Sequence, residues 1–180
     1  MRGELAAAIE RLRPLSGDVT WVKPGNLHLT VKFLGDVAQD RIGAVVTALG
    51  DAALGLPVFD AALRGLGAFP SIMRPRVIWA GVTEGAGAMV ELAGRVDEAL
   101  AAVGFARDAR PFSPHVTLGR VRRPGPNGAL ASALRAADAH EFGGIRVAGV
   151  RLIRSELSPG GARYTELAAA RLPEQAPGGV

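Results

Sequence analysis

Three histidines occur in the 180 residues, and two of them are followed two positions later by threonine. Asn26–Gly35 reads NLHLTVKFLG and Pro114–Val121 reads PHVTLGRV, so His-apolar-Thr-apolar stands at His28/Thr30 and again at His115/Thr117. The chain has six threonines, so chance puts one two places after a given His roughly 3% of the time, and two of three matching is on the order of 0.3%. Both sites lie in alternating apolar stretches that read as strands. On a strand, residues i and i+2 project from the same face. His28 and Thr30 then point one way, and Leu27, Leu29 and Val31 point into a core. His115 and Thr117 do the same, with Val116 and Leu118 opposite. The two histidines are 87 positions apart, about half the chain, which suggests one pair per lobe facing a common cleft.

Imidazole titrates near neutrality, so one histidine can act as a base while the other acts as an acid. The threonine hydroxyls can donate to non-bridging oxygens, and such donors can carry developing charge without a metal. The set suits a phosphodiester. Two blander readings compete. Both histidines can be core residues bonded to backbone, with threonines chosen for β propensity. They can also be two ligands of a metal site, although no third ligand stands at metal-like spacing. His140 has no such neighbours and reads as a solvated loop or strand-edge residue.

Several neighbours have a functional and a structural reading. Arg120, three after Thr117, is a bidentate phosphate clamp or a solvated strand-end charge. Phe33 and Trp79 stack a base or pack a core. Arg74 and Arg76 flank Pro75 as a basic rim for substrate or as plain surface. Arg163 and Tyr164 border the cleft or do not. Arg122 and Arg123 read as surface, with contact to an RNA backbone as the functional alternative.

The elements that must position these residues follow from periodicity. Helices are expected over 3–13, over 38–54 with Asp36 as N-cap, over 86–103 ended by Gly104, and over 128–138. Strands are expected at Val19–Val22, Leu27–Leu34, 56–68, Val77–Val82, 115–121, 145–157 and 162–170. Pro24-Gly25 and Ser158-Pro159-Gly160-Gly161 read as turns, and Phe69–Pro75 as a loop. The tail from Pro173 reads as mobile. Strands alternate with helices, but several are joined by short turns, which favours α+β with antiparallel pairing.

Composition narrows the chemistry. Hydrophobic residues make up 48%, enough for a real core. There are no cysteines, which excludes disulfides, thiolate metal sites and a Cys nucleophile. No stretch approaches the roughly 18 apolar residues of a membrane span, and residues 1–13 do not read as a signal peptide. Cytoplasm is the expected location, with no membrane partner. Net charge is +4, but residues 105–154 hold nine Arg against Asp108, Asp138 and Glu141, which leaves the remainder net acidic. A basic half suits a phosphate-bearing partner. GAGAM at 85–89 and PGGA at 159–162 lack the context and the Lys of a phosphate loop.

The paired motifs resemble those of the 2H phosphoesterases. Four blocks narrow the likeness: WVKPGNLHLTVKFLGDV, FPSIMRPRVIWAGV, RPFSPHVTLGRV and SELSPGGARYTEL are similar to the RNA 2′,3′-cyclic phosphodiesterase family, once named 2′-5′ RNA ligase. The likeness runs from about Trp21 to Leu172. It implies one bilobal α+β domain over 1–180, with two pseudo-symmetric lobes, each an antiparallel sheet flanked by helices, and the active-site cleft between them. It implies hydrolysis of a 2′,3′-cyclic phosphate to the 2′-phosphate, with RNA or nucleotide ends as substrate. It implies His28 as proton donor, His115 as proton acceptor, and Thr30 and Thr117 as phosphate holders. Arg120, Phe33, Arg76 and Tyr164 are the candidate substrate contacts. No metal, no cofactor and no obligate protein partner is expected, and the chain is expected to be a monomer. Joining RNA ends, cleaving 2′-5′ oligonucleotides, and non-catalytic RNA binding remain as alternatives. One departure is visible. Relatives usually open with an apolar strand, whereas MRGELAAAIE reads straight into helix, so either the start is unusual or an edge of one sheet is missing or substituted.

Overall fold

The computed structural model describes residues 1–158 and 161–174, with the backbone alone at Leu157. The chain forms two compact units: residues 1–30, 61–86 and 114–145, and residues 31–60, 87–113 and 146–180. The expected α+β class with antiparallel pairing holds.

The first unit is built on a five-stranded sheet. Its strands are β1 (Val19–Trp21), β2 (Phe59–Phe69), β3 (Val77–Val82), β4 (His115–Val121) and β5 (Glu141–Val147), in the spatial order β1-β4-β3-β2-β5. The ladders β1–β4, β4–β3 and β3–β2 are antiparallel. β2 begins with two residues of the second unit, and β5 ends with two. Val116, Leu118, Ile78, Ala80, Leu66 and Ala68 are buried, and this alternation along β4, β3 and β2 defines the core face. Helix α1 (Arg2–Leu12) buries Leu5, Ala8, Ile9 and Leu12, the i, i+3, i+4, i+7 stripe of an amphipathic helix, and packs against β4. Helix α4 (Gly128–Ala136) starts at Asn127, whose side-chain oxygen accepts from the Leu130 amide at 3.0 Å and caps an otherwise orphaned donor.

The second unit pairs helix α2 (Ile42–Leu54) and helix α3 (Ala86–Ala102) with a two-stranded antiparallel sheet, β6 (Gly149–Ser158) and β7 (Gly161–Arg171). Val45, Leu49, Ala52, Leu92, Val96, Leu100, Val150, Leu152 and Leu172 form its core. Lys32 supplies a polar anchor. Its side chain is 5% exposed, and its ammonium pairs with Asp97 on α3, reaches Asp108 at 3.4 Å and donates to the Ala106 carbonyl at 2.9 Å.

Three expected elements differ. Leu27–Leu34 is not a strand; among the described residues one antiparallel bridge, Leu29↔Val116, is all the pairing it makes. Its apolar alternation serves two cores: Leu27 is buried in the first unit, while Val31 and Leu34 pack against the core of the second. The helix expected over 38–54 begins at Ile42 after a 3-10 turn at Gln39–Arg41, and Asp36 does not cap it. The strand expected over 145–157 is two strands that change sheet at Ala148. Gly149 permits that change, since a Cβ there would run into the Ala170 carbonyl. Of the expected Ser158–Gly161 turn, Pro159 and Gly160 lie outside the described residues, as does the tail from 175.

Candidate active site

β4 carries the second motif in the interior of the sheet, between β1 and β3. His115 stands opposite Gly81 and Thr117 opposite Trp79. Val116 and Leu118 are buried, and His115 and Thr117 are half-buried, as the two-residue period requires.

The first motif reaches the same strand by another route. β1 runs beside β4 until the Val22 amide donates to the Leu118 carbonyl at 2.8 Å. The chain then makes a 3-10 turn at Pro24–Asn26 and returns to β4 at the Leu29↔Val116 bridge. That bridge decides the geometry. Antiparallel order around it sets His28 alongside Thr117 and Thr30 alongside His115. Leu29 and Val116 share the core face, so the four flanking residues share the other. Each histidine thus sits next to the threonine of the other motif. Both pairs belong to the first unit, whereas the half-chain spacing suggested one pair per lobe.

His28 is exposed, and its Nδ1 lies 2.7 Å from the Asn26 carbonyl oxygen. A carbonyl only accepts, so Nδ1 carries the proton and donates. Nε2 is then the nitrogen that gains or loses a proton in any reaction, while the Asn26 bond holds the ring in both states.

Arg120 poses a parity problem, since residues three apart on a regular strand face opposite sides. β4 removes it with a bulge. Gly119 stands opposite Ile78 but Thr117 stands opposite Trp79, so Leu118 and Gly119 together face one partner residue. Both are buried on the core face. Arg120 is thereby turned to the side of Thr117, opposite Val77 on β3 and Thr20 on β1. It is exposed, and among the described residues its guanidinium makes no ion pair.

Other arginines gather at this end of the sheet. The Arg76 amide donates to the Phe69 carbonyl at 2.7 Å, and the Arg76 carbonyl accepts from Val121 at 2.9 Å. Arg122 pairs its amide with the Asp18 carbonyl and its guanidinium with the Gly17 carbonyl. Arg74, Arg76, Arg122 and Arg123 are all exposed. The remaining candidates fall in the second unit. Phe33 is 74% exposed, and Tyr164 and Arg163 lie on β7 opposite Ser155 and Glu156. His140 precedes β5 with its ring against Phe142 and Glu4, apart from the motif residues, as expected. Phe69 was not singled out by the sequence, yet its ring centroid is 5.1 Å from that of His115. Its place at the head of an apparent loop concealed it. Among the described residues no three His, Asp or Glu side chains are grouped to hold a metal ion, and no helix is long and apolar enough to cross a membrane.

Proteins named RNA 2′,3′-cyclic phosphodiesterase are similar over nearly the whole chain. That of Methanothermobacter thermautotrophicus is 34% identical, covering 96% of this chain and 92% of its own. That of Archaeoglobus fulgidus is 36% identical, covering 93% and 91%. Among solved structures, one from Thermus thermophilus superposes with a TM-score of 0.79 at 31% identity, covering 97% of this chain and 92% of that one. E. coli LigT complexed with 3′-AMP superposes at 0.71 with 25% identity, covering 96% and 92%. The sequence model of the 2′-5′ RNA ligase superfamily matches residues 2–158, and the chain belongs to that family of two-histidine phosphoesterases.

Proposed function

We propose that this protein is a hydrolase that opens the 2′,3′-cyclic phosphate at an RNA or nucleotide end. The observation that carries the reading is the Leu29↔Val116 bridge, which brings two histidines and two threonines to one face of two adjacent segments. The relatives' name supplies the substrate class, and the chemistry of the four groups fits it.

His115 takes a proton from water as the water oxygen attacks phosphorus. The bond from phosphorus to O3′ breaks, and His28 gives its Nε2 proton to that oxygen. The products are a 2′-phosphomonoester and a free 3′-hydroxyl. Thr30 and Thr117 donate to the non-bridging oxygens as charge builds there. The assignment of acid to His28 and base to His115 follows the family resemblance. The Asn26 carbonyl supports it, since an imidazolium with Nδ1–H already satisfied presents a single donor at Nε2. Arg120 faces the same side and suits a phosphate oxygen through its planar fork. The arginines beyond it suit the next phosphates of an RNA chain.

Incubation with a 2′,3′-cyclic nucleotide in EDTA tests the reading. Hydrolysis to the 2′-phosphate is expected without added metal. Turnover only after metal is restored would overturn the two-histidine mechanism. Binding without turnover, unchanged in His28→Ala and His115→Ala, would make the chain an RNA-binding module. Joined product from RNA halves bearing cyclic-phosphate and 5′-hydroxyl ends would make it a ligase.

A further inference from the structure

The strand period fixes where the His115 Cβ points but does not by itself set χ1 and χ2 of the imidazole. For His28 the Asn26 carbonyl settles the ring. For His115 the neighbours on its own face of the sheet include two aromatic rings. Phe69 closes β2 opposite Val77, and Trp79 stands on β3 opposite both Gly67 and Thr117. The Phe69 and His115 rings meet at 79°, an edge contact, with centroids 5.1 Å apart. Trp79 backs Phe69, with centroids at 5.2 Å and planes at 38°, and lies 6.3 Å from His115 at 55°. The indole can sit this low because Gly67 has no side chain. A Cβ there would overlap the indole ring. The stack is therefore seated on backbone.

We propose that Phe69, backed by Trp79 over Gly67, is a positioning residue that holds the His115 imidazole in its working orientation. The inference rests on the reading in which His115 takes the proton from water. Edge-on aromatic contact limits the rotamers open to the imidazole, and a base must keep its nitrogen within hydrogen-bond reach of the proton it removes. Half-burial suits a wall more than a stacking surface. Phe69 and Trp79 are both only half-exposed, and the Trp79 Nε1 is buried.

The test compares Phe69→Leu, Phe69→Tyr and Trp79→Phe with the unaltered chain. Phe69→Leu is expected to lower kcat by about ten- to a hundredfold with KM nearly unchanged, as a misplaced base should. Phe69→Tyr keeps the ring and is expected to restore kcat to within about twofold. Trp79→Phe is expected to fall between them. NMR of the His115 side chain gives a readout that needs no turnover. Its Hα–Hβ coupling constants should move towards rotamer averaging in Phe69→Leu and keep their single-rotamer values in Phe69→Tyr. A raised KM with unchanged kcat would overturn the proposal and make the pair a base-stacking surface. Unchanged His115 couplings in Phe69→Leu would also overturn it. If the unaltered chain opens no cyclic phosphate, the functional reading falls while the NMR comparison still decides whether Phe69 holds the ring. Should Phe69→Leu fail to fold, Trp79→Phe carries the same comparison.

Discussion

The two His-x-Thr motifs are nearly the same in sequence and are held in unlike ways. His115 and Thr117 stand on β4, which is laddered to β3 at both positions and to β1 only farther along, at Gly119–Val121. His28 and Thr30 stand on a stretch with a single bridge. The first motif is instead fixed point by point: a 3-10 turn before it, the His28–Asn26 contact within it, and the Lys32 anchor two residues after Thr30. A short motif thus specifies which groups are offered, and the surroundings decide how firmly. β-sheet neighbours hold one motif collectively, while separate polar contacts hold the other.

The sharpest way to break the comparison is to remove each imidazole. His28→Ala and His115→Ala are each expected to lower kcat by about 10²- to 10⁴-fold, the usual contribution of a positioned acid or base. The double variant should be little worse than either, because groups acting in one event do not add. Steady-state kinetics on a cyclic nucleotide measures both. A tenfold loss at one position with a thousandfold loss at the other would show that the scaffolds differ in function as well as in construction.

Arg120 belongs to the β4 half alone, and its loss should be smaller. Arg120→Ala is expected to cost about ten- to a hundredfold in kcat/KM, in line with one charge-assisted hydrogen bond to phosphate. Arg120→Lys should recover only part of this, since the fork is lost while the charge stays. An RNA substrate should show a weaker salt dependence after Arg120→Ala, read from KM between low and moderate salt. Equal kinetics for all three proteins would place Arg120 on the solvated surface.

The bulge that aims Arg120 shows where sequence reading stops. The i, i+2 logic predicted the face of His115 and Thr117, because side-chain burial repeats with that period and leaves its mark in Val116 and Leu118. Nothing in HVTLGRV announces that Leu118 and Gly119 share a partner, since a bulge is a property of the ladder and not of one strand. Leu27–Leu34 misled for a related reason. Alternating apolar residues report burial, and here they pack against two different cores with a single bridge to a neighbouring strand. The first half of β5 was hidden by the glycines of EFGGIRV, which carry no hydrophobic signal. The four sequence blocks made the family legible without any of this, and the pairing of the motifs needed the fold.

The smallest effect bears most directly on how the first motif is held. Hydrogen bonds from the buried Lys32 ammonium and from the Asp108 amide outweigh the opposing cost of burial and keep the Asp97 carboxyl below the usual carboxylate range. Burial alone would lower the Lys32 value, but its bonds to Asp97 and Asp108 together raise it. Asp97 therefore contributes stability that is full above the ordinary carboxylate pKa of about 3.9 and is lost as pH falls through its folded value. Lys32 contributes stability that is full below about pH 10 and is lost as pH rises through its own folded value. Asp97→Asn should remove the acid-side loss while leaving Lys32 with Asp108 and the Ala106 carbonyl, so the cost near neutrality should be about 1 kcal/mol. That corresponds to amide exchange about fivefold faster at residues 31–34. The β4 amides should exchange as before, because the sheet holds them independently. Hydrogen exchange followed residue by residue at neutral pH separates the two segments. Equal acceleration in both would mean that they open as one cooperative piece, and the distinction between a sheet-held and an anchor-held motif would fail.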